Sequence, residues 1–212
     1  GAAFSITSTG GAANPATFNA DSSTITTGTT FTQSGTSPST TTYNAGTGSL
    51  LIGTNFSKSG TGATFNGSSG TMTVNGNLNA TSGGPFYAPT STLTIGGNLS
   101  TTSSPAVFNA NGGTVVMTPN TNHTIGVSVI TFHNFTFLDT GLDNIDSTLT
   151  FSPSNTYTFT GTLTIDGADS DDRVNIVTSA PGTASSFSFT GTSTFVGNYL
   201  DIIDNYVADT ST

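Results

Sequence analysis

The segment Gly70-Thr71-Met72-Thr73-Val74-Asn75-Gly76-Asn77-Leu78 returns one unit later as Ser91-Thr92-Leu93-Thr94-Ile95-Gly96-Gly97-Asn98-Leu99. Met72 and Val74, like Leu93 and Ile95, stand two positions apart, which turns both side chains to one face of a strand. Working outward, each such segment follows an aromatic residue: Phe18, Tyr43, Phe65, Phe86 and Phe108, whose positions advance in steps of 25, 22, 21 and 22. Seven positions after the aromatic come Ile25, Leu50, Met72, Leu93 and Val115. Nine after it come Thr27, Ile52, Val74, Ile95 and Met117, and thirteen after it Phe31, Phe56, Leu78 and Leu99, until Thr121 breaks the series. Gly28, Gly53, Gly76 and the pair Gly96-Gly97 fall between the last two positions, where a corner with φ > 0 is expected of them. Three short strands in a unit of about 22 residues make one coil of a parallel β-helix, or β-solenoid, whose equivalent residues stack from coil to coil. The expected fold class is therefore all-β, with an antiparallel β-sandwich as the alternative, since its short strands and regular turns read similarly.

Composition agrees. The 212 residues include no Glu, two Met, only Lys58 and Arg173 as basic side chains, and few Leu, so good helix formers other than Ala are scarce. Ser and Thr fill about a third of the chain and charged residues 6%, against about 25% in typical globular proteins. Such a Gly-, Ser- and Thr-rich chain could be disordered, but the regular apolar spacing argues against it. A net charge of −9 provides no basic footprint for nucleic acid or an anionic membrane. No apolar run is long enough to span a bilayer as a helix. With no Cys, disulfides, thiolate metal sites and thiol catalysis are excluded. Gly1-Ala2-Ala3-Phe4 carries no signal peptide, and a start after a cleavage site would suit secretion.

Residues 1–120 read as regular solenoid repeats. Residues 121–212 read as less regular β-coils, with a C-terminal cap or a small β-domain as the alternative. Apolar doublets continue there at Phe135/Phe137, Leu149/Phe151, Leu163/Ile165, Val174/Ile176, Phe187/Phe189 and Leu200/Ile202, but their spacing assigns no faces. The doublet Phe4/Ile6 precedes Ile25/Thr27 by one coil length and is expected to be the seven/nine pair of a partial coil. Open coils at the two ends, marked by Phe4 and Ile6 and by Leu200 and Ile202, are the expected assembly surfaces, because uncapped solenoid ends expose unpaired strand edges.

The two quoted segments resemble repeats of large bacterial β-strand-repeat surface proteins. Thr131-Phe132-His133-Asn134-Phe135-Thr136-Phe137 is similar to an aromatic-Asn-hydrophobic signature of the same proteins, as are Leu163-Thr164-Ile165-Asp166-Gly167, Val174-Asn175-Ile176-Val177-Thr178-Ser179 with Pro181-Gly182-Thr183, and Tyr199-Leu200-Asp201-Ile202-Ile203-Asp204. The resemblance implies a right-handed parallel β-helix, secretion, and a role as fibre, adhesin or envelope component. It carries over no catalytic residues, and this chain is short for the group.

An enzyme would need paired carboxylates at set separations; the Asp residues mostly occupy turn contexts, and no catalysis is expected. Asp166, Asp169, Asp171 and Asp172 form the densest acidic cluster, whose hard oxygen ligands would suit Ca²⁺; Asp139, Asp143 and Asp146 form a thinner one. His123 and His133 read as a turn and a strand residue. Thr24/Thr26, Thr71/Thr73 and Thr92/Thr94 form outward pairs that Leu51 and Val116 interrupt, a ladder suited to packing on another copy or, less readily, to ice. Six Asn-x-Ser/Thr sequons are no more than this composition yields by chance. The expected function is a structural subunit of an extracellular filament or surface fibre, its partner being itself. The alternative is an adhesin-type module binding a carbohydrate or a surface.

Overall fold

A computed structural model describes residues 1–8, 15–81, 83–101, 108–126, 129–141 and 144–208. Among these residues every regular element is a β-strand, and every pairing is parallel. The chain is a β-solenoid. Among the described residues no helix is long and apolar enough to cross a membrane.

One coil shows how the sequence builds it. Phe56–Ser59 lies on a first face, Ala63–Asn66 on a second and Met72–Val74 on a third; Leu78–Ala80 then returns to the first. The first face is one nine-stranded sheet from Phe4–Ser8 to Leu200–Ile202, and the third is one eight-stranded sheet from Ile25–Thr27 to Thr194–Val196. The second is divided between a five-stranded and a four-stranded sheet. Alternation decides what goes inside: along Phe56–Ser59, Met72–Val74 and their equivalents in the middle coils, every second residue is buried. The aromatic, seven/nine and thirteen positions all point inward and stack on their counterparts. On the second face Phe18, Tyr43, Phe65 and Phe86 are successive stacked rings, with centroids 5.4, 5.2 and 4.8 Å apart. Such stacking adds about 1 kcal/mol per pair to the area each ring buries.

The regular coil length holds only in the middle. On the first face Phe56, Leu78 and Leu99 follow one another in steps of 22 and 21. From Leu99 to Ile125 the step is 26, and from Leu149 to Ile176 it is 27. Extra residues at a corner leave the registers intact. Ile125 therefore occupies the place where Thr121 broke the sequence series, and the doublets beyond it fall on the same three faces.

Two expectations are corrected. Phe4 and Ile6 are not a seven/nine pair on the third face: Phe4 pairs with Phe31 and Ile6 with Gln33 on the first. An apolar doublet looks the same on any face; stacking of the Phe4 ring on Phe31, with centroids 4.9 Å apart, goes with this placement. The corner glycines are likewise not in left-handed conformation. Positive φ is found instead three positions after the second-face aromatic, at Asp21, Gly46, Ser68 and Asn111. Gly53 and Gly96 are required by close approach, because a Cβ would lie 2.4 Å from the Gly28 carbonyl oxygen and 2.3 Å from that of Asn75.

Candidate functional site

The inward ranks that run the length of the solenoid are buried until they reach its ends. On the third face Leu163 is fully buried, while Phe195, its register partner in the next coil, is 45% exposed. On the first face the same step runs from buried Ile176 to Ile202 at 52%, and on the second from buried Phe187 to Val207 at 63%. Phe187, Phe189, Phe195, Ile202, Tyr206 and Val207 line an apolar hollow of about 110 Å³ at this end. The opposite end is less open: Phe4, Phe18 and Ile25 are half-buried where Phe31, Tyr43 and Leu50 behind them are buried, and Ile6 and Thr27 are themselves buried. Phe4 and Phe18 meet edge to face there, 5.2 Å apart.

The expected assembly residues thus fall on opposite edges of one sheet. Phe4 and Ile6 lie in its first strand and Leu200 and Ile202 in its last. Edge strands usually carry lysines, prolines or bulges that block further pairing. Of the strands at the two ends only Leu200–Ile202 carries a charge, and Asp201 is paired with Arg173 at 3.0 Å.

The acidic residues do different work. Asp166 accepts the Asn198 N–H (2.7 Å), Asp169 that of Asp171 (2.8 Å), and Asp172, buried, that of Ile145 (2.9 Å). Asp171 is exposed. Asp139 is buried and accepts from Gly141 N–H and the Ser147 hydroxyl, while Asp146 accepts the Arg173 N–H. Asp143 lies outside the described residues. These carboxylates satisfy backbone donors at corners, largely between coils, and among the described residues no three Asp or His side chains converge as a metal-binding group.

His123 is a buried strand residue, not the turn residue its polar neighbours suggest. Its Nδ1 lies 2.7 Å from the Gly97 carbonyl oxygen, and its Nε2 lies 2.9 Å from Thr121 Oγ1 and 2.8 Å from the Thr118 carbonyl oxygen. His133 is half-buried, with Nδ1 3.0 Å from Thr160 Oγ1. The third face places Thr26, Thr73 and Thr94 in one outward rank, interrupted by Leu51 and Val116.

Two interior residues escaped the sequence reading, Gln33 and Lys58. Both are fully buried, and Lys58 Nζ donates to the Gly84 carbonyl oxygen. Burial pushes the Lys58 ammonium down to about 8. The signal was present: Lys58 stands two positions after inward-facing Phe56, so alternation alone puts it inside.

Comparison with protein-family models, with curated proteins and with solved structures finds no match. A functional reading therefore rests on this chain's own geometry.

Proposed function

We propose that the chain is a structural subunit of an extracellular filament or surface fibre, joined end to end through its open coils. One observation carries this reading: all three inward apolar ranks emerge at both ends, next to strands whose outer edges are unpaired among the described residues. A parallel ladder has a different free side at each end, so the last coil of one copy complements the first coil of the next and not another last coil. Such a contact is head-to-tail and does not close on itself, which yields a filament. On the first and second faces, each with nine strands, side chains already arranged as coil-to-coil stacks would continue across the junction at the ordinary strand spacing of about 4.8 Å, while the eight-stranded third face would leave one rung open. Low charge favours close stacking, and the surface-protein resemblance favours secretion. A ligand-presenting, adhesin-type role is the second reading, favoured by a cleft on the second face that Asn109, Asn111, His133 and Thr160 help to line.

The test places charge at one end. Ile202→Lys and Val207→Lys put an ammonium on exposed end-coil positions, whereas Leu51→Lys puts one on the outer third face. In analytical ultracentrifugation the wild type is expected to sediment as large assemblies. The two end variants should sediment as monomers with unchanged circular dichroism, and Leu51→Lys should behave like wild type. Monomeric wild-type protein at all concentrations, or assembly unaffected by the end variants, would overturn the proposal.

A further inference from the structure

Among the described residues the second face is interrupted once. Phe108–Asn109 ends the five-stranded sheet and Val129–Phe132 opens the four-stranded one. The ring stack breaks at the same place: Phe86 and Phe108 are 5.4 Å apart and within 14° of parallel, but Phe108 and Phe132 are 6.1 Å apart and tilted by 59°. A cleft of about 400 Å³ opens there, lined by Phe108, Asn109, Asn111, Thr131, His133 and Thr160 among others, within the size range of small-molecule sites.

Its polar groups are held from behind. The Asn109 side-chain oxygen accepts the Asn111 N–H (2.7 Å), and the Asn111 amide donates to the Ala88 carbonyl (3.2 Å). His133 Nδ1 is fixed by Thr160 Oγ1. Among the described residues no hydrogen bond occupies the Asn109 amide nitrogen, the Asn111 amide oxygen or His133 Nε2. The described lining thus includes an amide donor, an amide acceptor and an imidazole nitrogen, and none of the described lining residues is an acid, Lys or Arg. Tyr87, paired in register with Asn109, is exposed on the adjoining strand, outside the cleft's own lining. Fixed neutral amides and hydroxyls match a ligand rich in hydroxyl groups and free of charge, since an ionic ligand would find no counter-charge. We propose that this cleft binds a neutral saccharide of one or two ring units. The site is on the side of the solenoid and does not depend on end-to-end assembly.

Saturation-transfer difference NMR reads the ligand and so works on assembled protein. The probes are neutral tetrasaccharides built from glucose, galactose, mannose or N-acetylglucosamine, with oligogalacturonate as a charged control. At least one neutral probe is expected to bind, and His133→Ala and Asn111→Gly should each weaken it about tenfold, the effect of one lost hydrogen bond. Glycine retains the left-handed backbone of Asn111 (φ 54°), and unchanged melting temperatures would show both variants folded. The charged control should not bind. No binding of any neutral probe at about 10 mM, binding insensitive to both substitutions, or equal binding of the charged control would overturn the proposal.

Discussion

Lys58 and Tyr43 are single residues in which the interior is imperfectly satisfied, and each makes a prediction. The Lys58 ammonium is pushed down to about 8 by burial, while in the unfolded chain it titrates near 10.4. Below pH 8 the folded protein carries a buried charge. Between pH 8 and about 10 the folded state releases a proton that the unfolded chain still holds, so stability rises with pH, by up to about 3 kcal/mol. Burial also pushes the Tyr43 and Tyr157 hydroxyls up to about 12. Above pH 10 the unfolded tyrosines ionise first, and stability falls again. Urea unfolding across this range is expected to show a maximum near pH 10, and Lys58→Met should be more stable than wild type at pH 7 and lack the rise; a wild-type profile flat from pH 7 to 10 would refute this account. The Tyr43 hydroxyl is buried with no hydrogen-bond partner among the described residues. Its neighbours in the stack, Phe18 and Phe65, lack that group, so Tyr43→Phe should stabilise the protein by about 1 kcal/mol in the same assay.

At the scale of strands and corners, the apolar doublets identified the strand type and the aromatic spacing identified the parallel stack. Faces were legible only where the coil length stays constant, as from Phe56 to Leu99. Beyond Asn120, longer corners absorb residues without moving the register, and a sequence offset no longer identifies a face; the same ambiguity misplaced Phe4 and Ile6. Corners were misread for a different reason. Glycine serves both positive φ and close backbone approach, and sequence does not separate the two. Gly53 tests the distinction: a methyl group there would lie 2.4 Å from the Gly28 carbonyl oxygen. Gly53→Ala should cost more than about 2 kcal/mol, whereas Gly182→Ala, with positive φ but open space around it, should cost about 1. Equal, small losses at both sites by thermal unfolding would count against tight coil contact at Gly53. Of the acidic cluster, composition showed only that carboxylates were close in sequence. That Asp166 and Asp172 cap backbone donors of distant residues depends on coil pairing, which composition does not contain.

For the whole molecule, the central feature is that the two ends of the solenoid are built from the same ranks as its middle. Phe195, Ile202 and Val207 would be interior residues if one more coil covered them, as would Phe4, Phe18 and Ile25 at the other end. In the proposed filament a second copy would supply that coil. The most direct measurement of this is electron microscopy of the purified protein at increasing concentration. Nine strands on the first face, at about 4.8 Å each, predict uniform filaments with an axial repeat near ~43 Å. Discrete particles at every concentration, or filaments whose repeat does not match a head-to-tail stack of whole subunits, would contradict end-to-end assembly.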